Sequence, residues 1–100
     1  MKVFLSELAE RKLLILSEYL LENWNSKTRD QFIEKLTEKI KQISFQPESC
    51  PQSSELKGLY KCVVTKQTTF YYRISTGLDE IEIITIVDTR QNPDKLRKDI

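Results

Sequence analysis

The chain contains no histidine. That absence removes imidazole as general base, as partner of a nucleophile and as metal ligand, so neither Ser-His-Asp nor Cys-His chemistry can be assembled. Cysteine is scarce: Cys50 and Cys62 stand alone, twelve positions apart, and no CxxC zinc spacing can be built from them. No metal and no cofactor is expected. Two glycines and three prolines in 100 residues exclude collagen-like and low-complexity chains. Long apolar runs are missing as well. The longest, Leu13–Leu16, has four residues, against the roughly 20 that a membrane helix needs. Val3-Phe4-Leu5 is likewise far short of the about 7 to 15 apolar residues of a secretory signal. A cytoplasmic protein without a membrane partner is expected, its cysteines free thiols in a reducing compartment, with a single disulfide as the alternative. Neither sign of charge dominates: 16 Lys and Arg oppose 15 Asp and Glu, for a net charge of +1.

What is present reads as one domain over residues 1–100, with a charged tail from about residue 94 expected to be flexible. Val3-Phe4-Leu5 is a short β-prone start. Ser6 is placed to cap a helix whose first turn carries Glu7 and Glu10 at the positive end of the dipole. Leu8, Ala9, Leu13, Leu16, Tyr19 and Leu20 then recur at three- and four-residue steps, one apolar stripe running to about Asn23. Leu14 and Leu21 fall off that stripe and give the helix a second apolar flank, which can serve the core or a partner. Ser26 is read as the cap of a second helix with Phe32, Ile33, Leu36, Ile40 and Ile43 on one face. Two helices joined by so short a turn make an αα-hairpin. Residues 46–55, with Pro47, Cys50 and Pro51, form a loop.

Beyond Leu56 the period changes from 3.6 to 2. Tyr60, Cys62 and Val64 form one alternating set, and Thr68, Phe70, Tyr72 and Ile74 a second. Ile81, Ile83, Thr85 and Val87 form a third, alternating with Glu82, Ile84, Ile86 and Asp88. Lys66-Gln67 is the expected tight turn of the first hairpin, and Ser75–Asp79 is the second turn. The order is β-α-α-β-β-β, a two-layer α+β fold with the helix hairpin packed on an antiparallel sheet. Because one hairpin covers one face, the other face is left for function or a partner.

Charge is concentrated on that sheet. Between Lys57 and Ser75 the chain carries Lys57, Lys61, Lys66 and Arg73 and no acid, with Tyr60, Phe70, Tyr71 and Tyr72 interleaved. Alternate residues of a strand point to opposite faces. Lys61, Tyr71 and Arg73 are therefore expected to share the face away from the helices, with Tyr71 half exposed and Arg90 joining them. Cations interleaved with aromatics suit phosphates and stacked bases, and solvated cations on an open sheet have the same pattern. Glu82 and Asp88 are too far apart along one strand for shared acid–base work. Trp24 at the inter-helix turn reads as a packing anchor. On this parity, Arg73→Ala and Arg90→Ala should leave the fold intact, while Tyr72→Ala opens a cavity.

Taken together, several segments resemble the RelE/ParE superfamily of bacterial type II toxins, its ParE-like branch in particular. They are Val3-Phe4-Leu5-Ser6 with Ala9 and the Leu-Ile-Leu run, Tyr19, Trp24, Phe32, Leu36, Ile40, Ile43 and Pro47. Leu56-Lys57-Gly58-Leu59-Tyr60-Lys61, Tyr72-Arg73-Ile74 and the run from Ile84 to Pro93 complete them. The resemblance implies the same β-α-α-β-β-β fold and a plasmid-stabilisation role. It also implies a small antitoxin whose C-terminal segment wraps the toxin into a hetero-oligomer, with Leu14 and Leu21 as its contacts here. It leaves two targets open. ParE-like members poison DNA gyrase and are not nucleases. RelE-like members cut messenger RNA on the ribosome, a role that would fall here to Lys57, Lys61, Arg73 and Arg90. In those endoribonucleases an Arg stands three residues before the Tyr of the third strand, where this chain has Thr69 before Tyr72. A Tyr is also expected six residues after Arg90, where it has Leu96. The ParE-like reading is therefore preferred, with a non-toxic interaction module of the same fold as the third alternative.

Overall fold

The computed structural model describes residues 1–91; the tail from residue 94 and Leu96 lie outside the described residues. The elements are β1 (Lys2–Leu5), α1 (Glu7–Asn23), α2 (Ser26–Phe45), β2 (Tyr60–Val63), β3 (Thr68–Ser75) and β4 (Glu80–Asp88), with a short 3₁₀ turn at Thr76–Leu78. The two helices pack on one face of a four-stranded sheet of order β1-β4-β3-β2. Strands β2, β3 and β4 form the expected antiparallel meander. β1 does not continue that pattern: it pairs parallel to β4 and makes the sheet mixed. Parallel neighbours need a long crossover, and here the helix hairpin and two strands intervene between β1 and β4.

Local chemistry fixes the helix starts. The Ser6 hydroxyl accepts a hydrogen bond from the Ala9 N–H at 3.0 Å and donates to the Ile84 carbonyl at 2.7 Å. One side chain therefore caps α1 and ties it to β4. The cap of α2 is Asn25 rather than Ser26. Asn25 still has extended backbone angles, and its side-chain oxygen accepts from the Thr28 N–H at 2.8 Å, while Ser26 is already helical. The amino terminus closes the other end: the Met1 ammonium donates to the Ser44 carbonyl at 3.0 Å, a cation at the negative end of a helix dipole.

Ala9, Leu16 and Leu20 of α1 and Phe32, Leu36 and Ile43 of α2 bury against Cys62, Phe70, Tyr72, Ile81, Ile83 and Ile86 of the sheet. Ile40 is only partly buried and Ile33 is exposed, so the inward stripe of α2 is narrower than its apolar pattern. The first hairpin turn is also longer than Lys66-Gln67. Residues 64–67 connect the strands, and the Thr65 hydroxyl accepts from the Gln67 and Thr68 N–H groups. That side chain organises the turn without any positive φ.

One irregularity decides which side chains face which way. β3 and β4 pair from Thr68↔Asp88 to Tyr71↔Thr85, then resume at Tyr72↔Ile83. Ile84 is the extra residue of a β-bulge, which shifts the alternation of the strand by one. Ile81 and Ile83 face the helices before it, and Ile86 and Asp88 after it. Thr85 and Val87 turn outward with their partners Tyr71 and Thr69. The unbroken alternation expected for β4 fails at this residue.

Candidate functional site

With the bulge in place, the outer face consists of cross-strand rows. Arg73 pairs with Glu82, which neighbours Phe4. The next row is Lys61, Tyr71 and Thr85, and the one after it Val63, Thr69 and Val87. Lys61, Tyr71 and Arg73 do share the face away from the helices, and Tyr71 is absent from the helix-side cluster.

That face is not a free cationic layer. Glu55 lies two residues upstream of the acid-free stretch. Its carboxylate sits 3.6 Å from Lys61 Nζ and accepts a hydrogen bond from the Tyr71 hydroxyl at 3.3 Å. Tyr71 is only 2% exposed rather than half open. Burial, then the charge of Glu55 and its hydrogen bond, push the Tyr71 hydroxyl up to about 12, and the covered ring offers no stacking platform. Arg73 is exposed, and its Nη2 meets Glu82 Oε1 at 2.6 Å. The meander itself brings that acid opposite. Lys57 and Lys66 are exposed and have no ion pair among the described residues. They flank opposite ends of β2, a strand about 10 Å long, so the cations do not converge on one centre.

Arg90 does not join them. It lies on the helix side, because the bulge turns Asp88 inward beside Thr68. Arg90 Nε and Nη2 donate to the two Asp88 carboxylate oxygens at 2.9 and 2.7 Å. The Arg90 N–H and the Thr68 hydroxyl donate to the same carboxylate. The Asp88 side chain is 0% exposed and that of Arg90 19%. Burial alone would raise the Asp88 carboxyl, but the hydrogen bonds from Arg90 and Thr68 outweigh it and hold it below the usual carboxylate range. The Arg90 guanidinium is held charged chiefly by its hydrogen bonds to Asp88. It lies 5.4 Å from the Trp24 ring centroid, a cation–π distance. Tyr19 tilts against Trp24 at 5.7 Å and donates its hydroxyl to the Arg90 carbonyl. Trp24 is 49% exposed and lies outside the core cluster, so it is a half-open ring against a charge rather than a buried packing anchor. Glu82 and Asp88 now face opposite sides of the sheet. Beside the clamp, Arg90 and Lys35 line a cleft of about 150 Å³ with Thr28, Gln31, Thr65 and Gln67.

The second apolar flank of α1 is real: Leu14 is 62% and Leu21 44% exposed, and Ile15 beside Leu14 is exposed as well. Asp88, Glu55 and the Trp24–Arg90 contact were not predicted from the sequence. Only the i, i+2 spacing of Asp88 and Arg90 and the position of Glu55 just before Lys57 could have signalled them. Among the described residues no group of three His, Cys, Asp or Glu could hold a metal, and no helix is long and apolar enough to cross a membrane.

Comparison with known proteins gives the fold its relatives. A chromosomal ParDE toxin–antitoxin system from P. aeruginosa is similar at TM-score 0.72 and 13% identity, covering 88% of this chain and 95% of that one. A YoeB/ParE toxin from Agrobacterium tumefaciens is similar at 0.63 and 17%, covering 88% and 98%. A metal-bound toxin from Helicobacter pylori is similar at 0.65 and 11%, covering 92% and 98%. At these identities the likeness concerns fold alone. No curated protein sequence matches the chain. The profile of the ParE toxin of type II toxin–antitoxin systems, parDE, matches residues 3–93, and with nine-tenths of its length so matched the chain belongs to the ParE toxin family.

Proposed function

We propose that the chain is a ParE-type toxin that inhibits DNA gyrase in the cytoplasm and is neutralised by a cognate antitoxin. The observation that carries this reading is the row Val63–Thr69–Val87. An RNA-cleaving member needs a guanidinium at the position of Thr69, and here that position stands between two aliphatic side chains. The neighbouring cations support the same conclusion. Lys61 and Arg73 are already neutralised by Glu55 and Glu82, and Arg90 is held by Asp88 on the helix side. Developing phosphoryl charge would have to compete with each of these acids, and oxyanion stabilisation depends on donors that are free and prearranged.

The antitoxin contact rests on α1. Leu14 and Leu21 lie one heptad apart, on one side of the helix and open to solvent. An amphipathic segment that orders on binding buries such a strip.

Two assays on purified protein test the target. Gyrase supercoiling should be blocked while ribosome-bound transcripts remain intact. Cleavage of those transcripts with supercoiling unaffected would reverse the assignment. Leu14→Asp with Leu21→Asp should weaken antitoxin binding by at least about tenfold, measured by titration calorimetry. Unchanged affinity would move the antitoxin elsewhere.

A further inference from the structure

The segment before β2 is joined to it by a short ladder. The Ser53 N–H donates to the Leu59 carbonyl and the Lys61 N–H to the Pro51 carbonyl, each at 2.8 Å. Between these bonds Gln52 and Tyr60 form an isolated antiparallel bridge. Bonds that flank a pair mark it as a non-hydrogen-bonded pair, where Cα atoms approach to about 4.5 Å. Carried two residues beyond that bridge, into the bend at Cys50, the same register would set Cys50 opposite Cys62. That position is again of the non-hydrogen-bonded kind and faces the helix side. Both cysteines are free thiols and buried. The Cys62 thiol is pushed up to about 12 by burial and then by interaction with the Cys50 side chain, so the two sulfurs are neighbours. Disulfides span Cα separations of about 4.4–6.8 Å, a range that includes the spacing of a non-hydrogen-bonded pair.

We propose that Cys50 and Cys62 are a cross-strand thiol pair that a small disulfide such as oxidised glutathione converts to an intramolecular disulfide in the folded chain. The Cys50 thiolate attacks one sulfur of the oxidant, and one glutathione thiolate leaves. The Cys62 sulfur, giving its proton to a leaving thiolate, then attacks the Cys50 sulfur, and the second glutathione leaves. Two protein thiols are oxidised and one small disulfide is reduced to two thiols. Cys50 attacks first because it is the more open of the two, 7% against 1% exposed. The high proton affinity of Cys62 makes closure slow, so the property to measure is an equilibrium. The bond would lock the segment that carries Glu55 against β2, fixing the acid that holds Lys61 and Tyr71. The inference is independent of the toxin's target.

The test uses the full chain in glutathione buffers of stepped ratio, without oxygen, once folded and once in concentrated urea. Each sample is quenched with acid, alkylated and weighed. Cross-linking a loop of about thirteen residues should stabilise the fold. By linkage the fold should then favour the bond to the same extent, so the oxidised-to-reduced ratio should be about a hundredfold higher in the folded chain at equal buffer. The oxidised chain should lose two hydrogens, yield a linked peptide containing both cysteines, and melt about 10 °C or more above the reduced one. Cys62→Ser should instead stop at the mixed disulfide on Cys50. A folded ratio no higher than the unfolded one, a stable mixed disulfide in the unsubstituted chain, or disulfide-linked dimers as the product would each overturn the proposal.

Discussion

Two Arg–carboxylate pairs on the same sheet have similar lengths, 2.6 Å for Arg73–Glu82 and 2.7 Å for Arg90–Asp88, and opposite physical meaning. The first sits on the outer face with its guanidinium in water. It is a surface pair of the kind that contributes little, because high dielectric and side-chain entropy cancel most of the attraction. The second closes the end of the sheet with its guanidinium over the Trp24 ring, and its carboxylate has no access to solvent. There the two side chains depend on each other, since a buried charge without its partner is costly. Distance alone does not distinguish a decorative pair from a clamp; burial of the acid does.

The largest effect should follow from Arg90→Ala. It leaves the Asp88 carboxylate buried with only Thr68 and a backbone N–H, and breaking a buried pair in this way costs about 3–5 kcal/mol. Urea unfolding should show that loss. A variant as stable as the parent would reduce the clamp to another surface pair, the outcome expected of an outer-face cation. Asp88→Asn should cost less, about 1–2 kcal/mol, because it keeps hydrogen-bonding groups in place and leaves a guanidinium that reaches solvent. It should also change the pH profile. The Asp88 carboxyl is held below its unfolded value of about 3.9. Its contribution is therefore complete above that pH and is lost as pH falls through the lower folded value. Melting temperature in the parent should fall steeply with acidification below about pH 4, and Asp88→Asn should flatten that slope. Trp24→Ala removes the ring beneath the guanidinium and should cost about 0.5–1 kcal/mol through the cation–π contact alone.

The pair that matters most was the less legible one. Element order, the Ser6 cap, the two helix stripes and the inward set Tyr60, Cys62, Phe70 and Tyr72 follow from local propensity and period, which a single chain displays. The outward placement of Lys61, Tyr71 and Arg73 follows from the same parity. Ile84 does not. Within Ile81-Glu82-Ile83-Ile84-Thr85-Ile86-Val87, apolar residues stand on both sides of every count, so no periodicity shows which of them is the extra one. The bulge then reverses the phase of everything after it, which carried Asp88 inward and Arg90 to the helix side. Partners that arrive from loops were hidden for another reason. Glu55 meets Lys61 and Tyr71 through a loop whose path no alternation records, and it turns a stretch without acids into a neutralised face.

Arg73→Ala completes the contrast and should be the mildest change. Glu82 has solvent at hand once its partner is gone, so no buried charge is created, and the expected loss is at most about 0.5 kcal/mol. Added salt should have little further effect on the variant, whereas it should slightly weaken the parent, because an exposed pair is screened over about 8–10 Å at ordinary ionic strength. If Arg73→Ala instead destabilised the chain as much as Arg90→Ala, the first source to test would be the packing of its aliphatic stem along the row that contains Phe4. Arg73→Met, which keeps most of that stem without the charge, would then restore the loss. Should Arg73→Met fail to do so, the outer pair would be a second clamp, and the contrast between the two faces would rest on geometry alone.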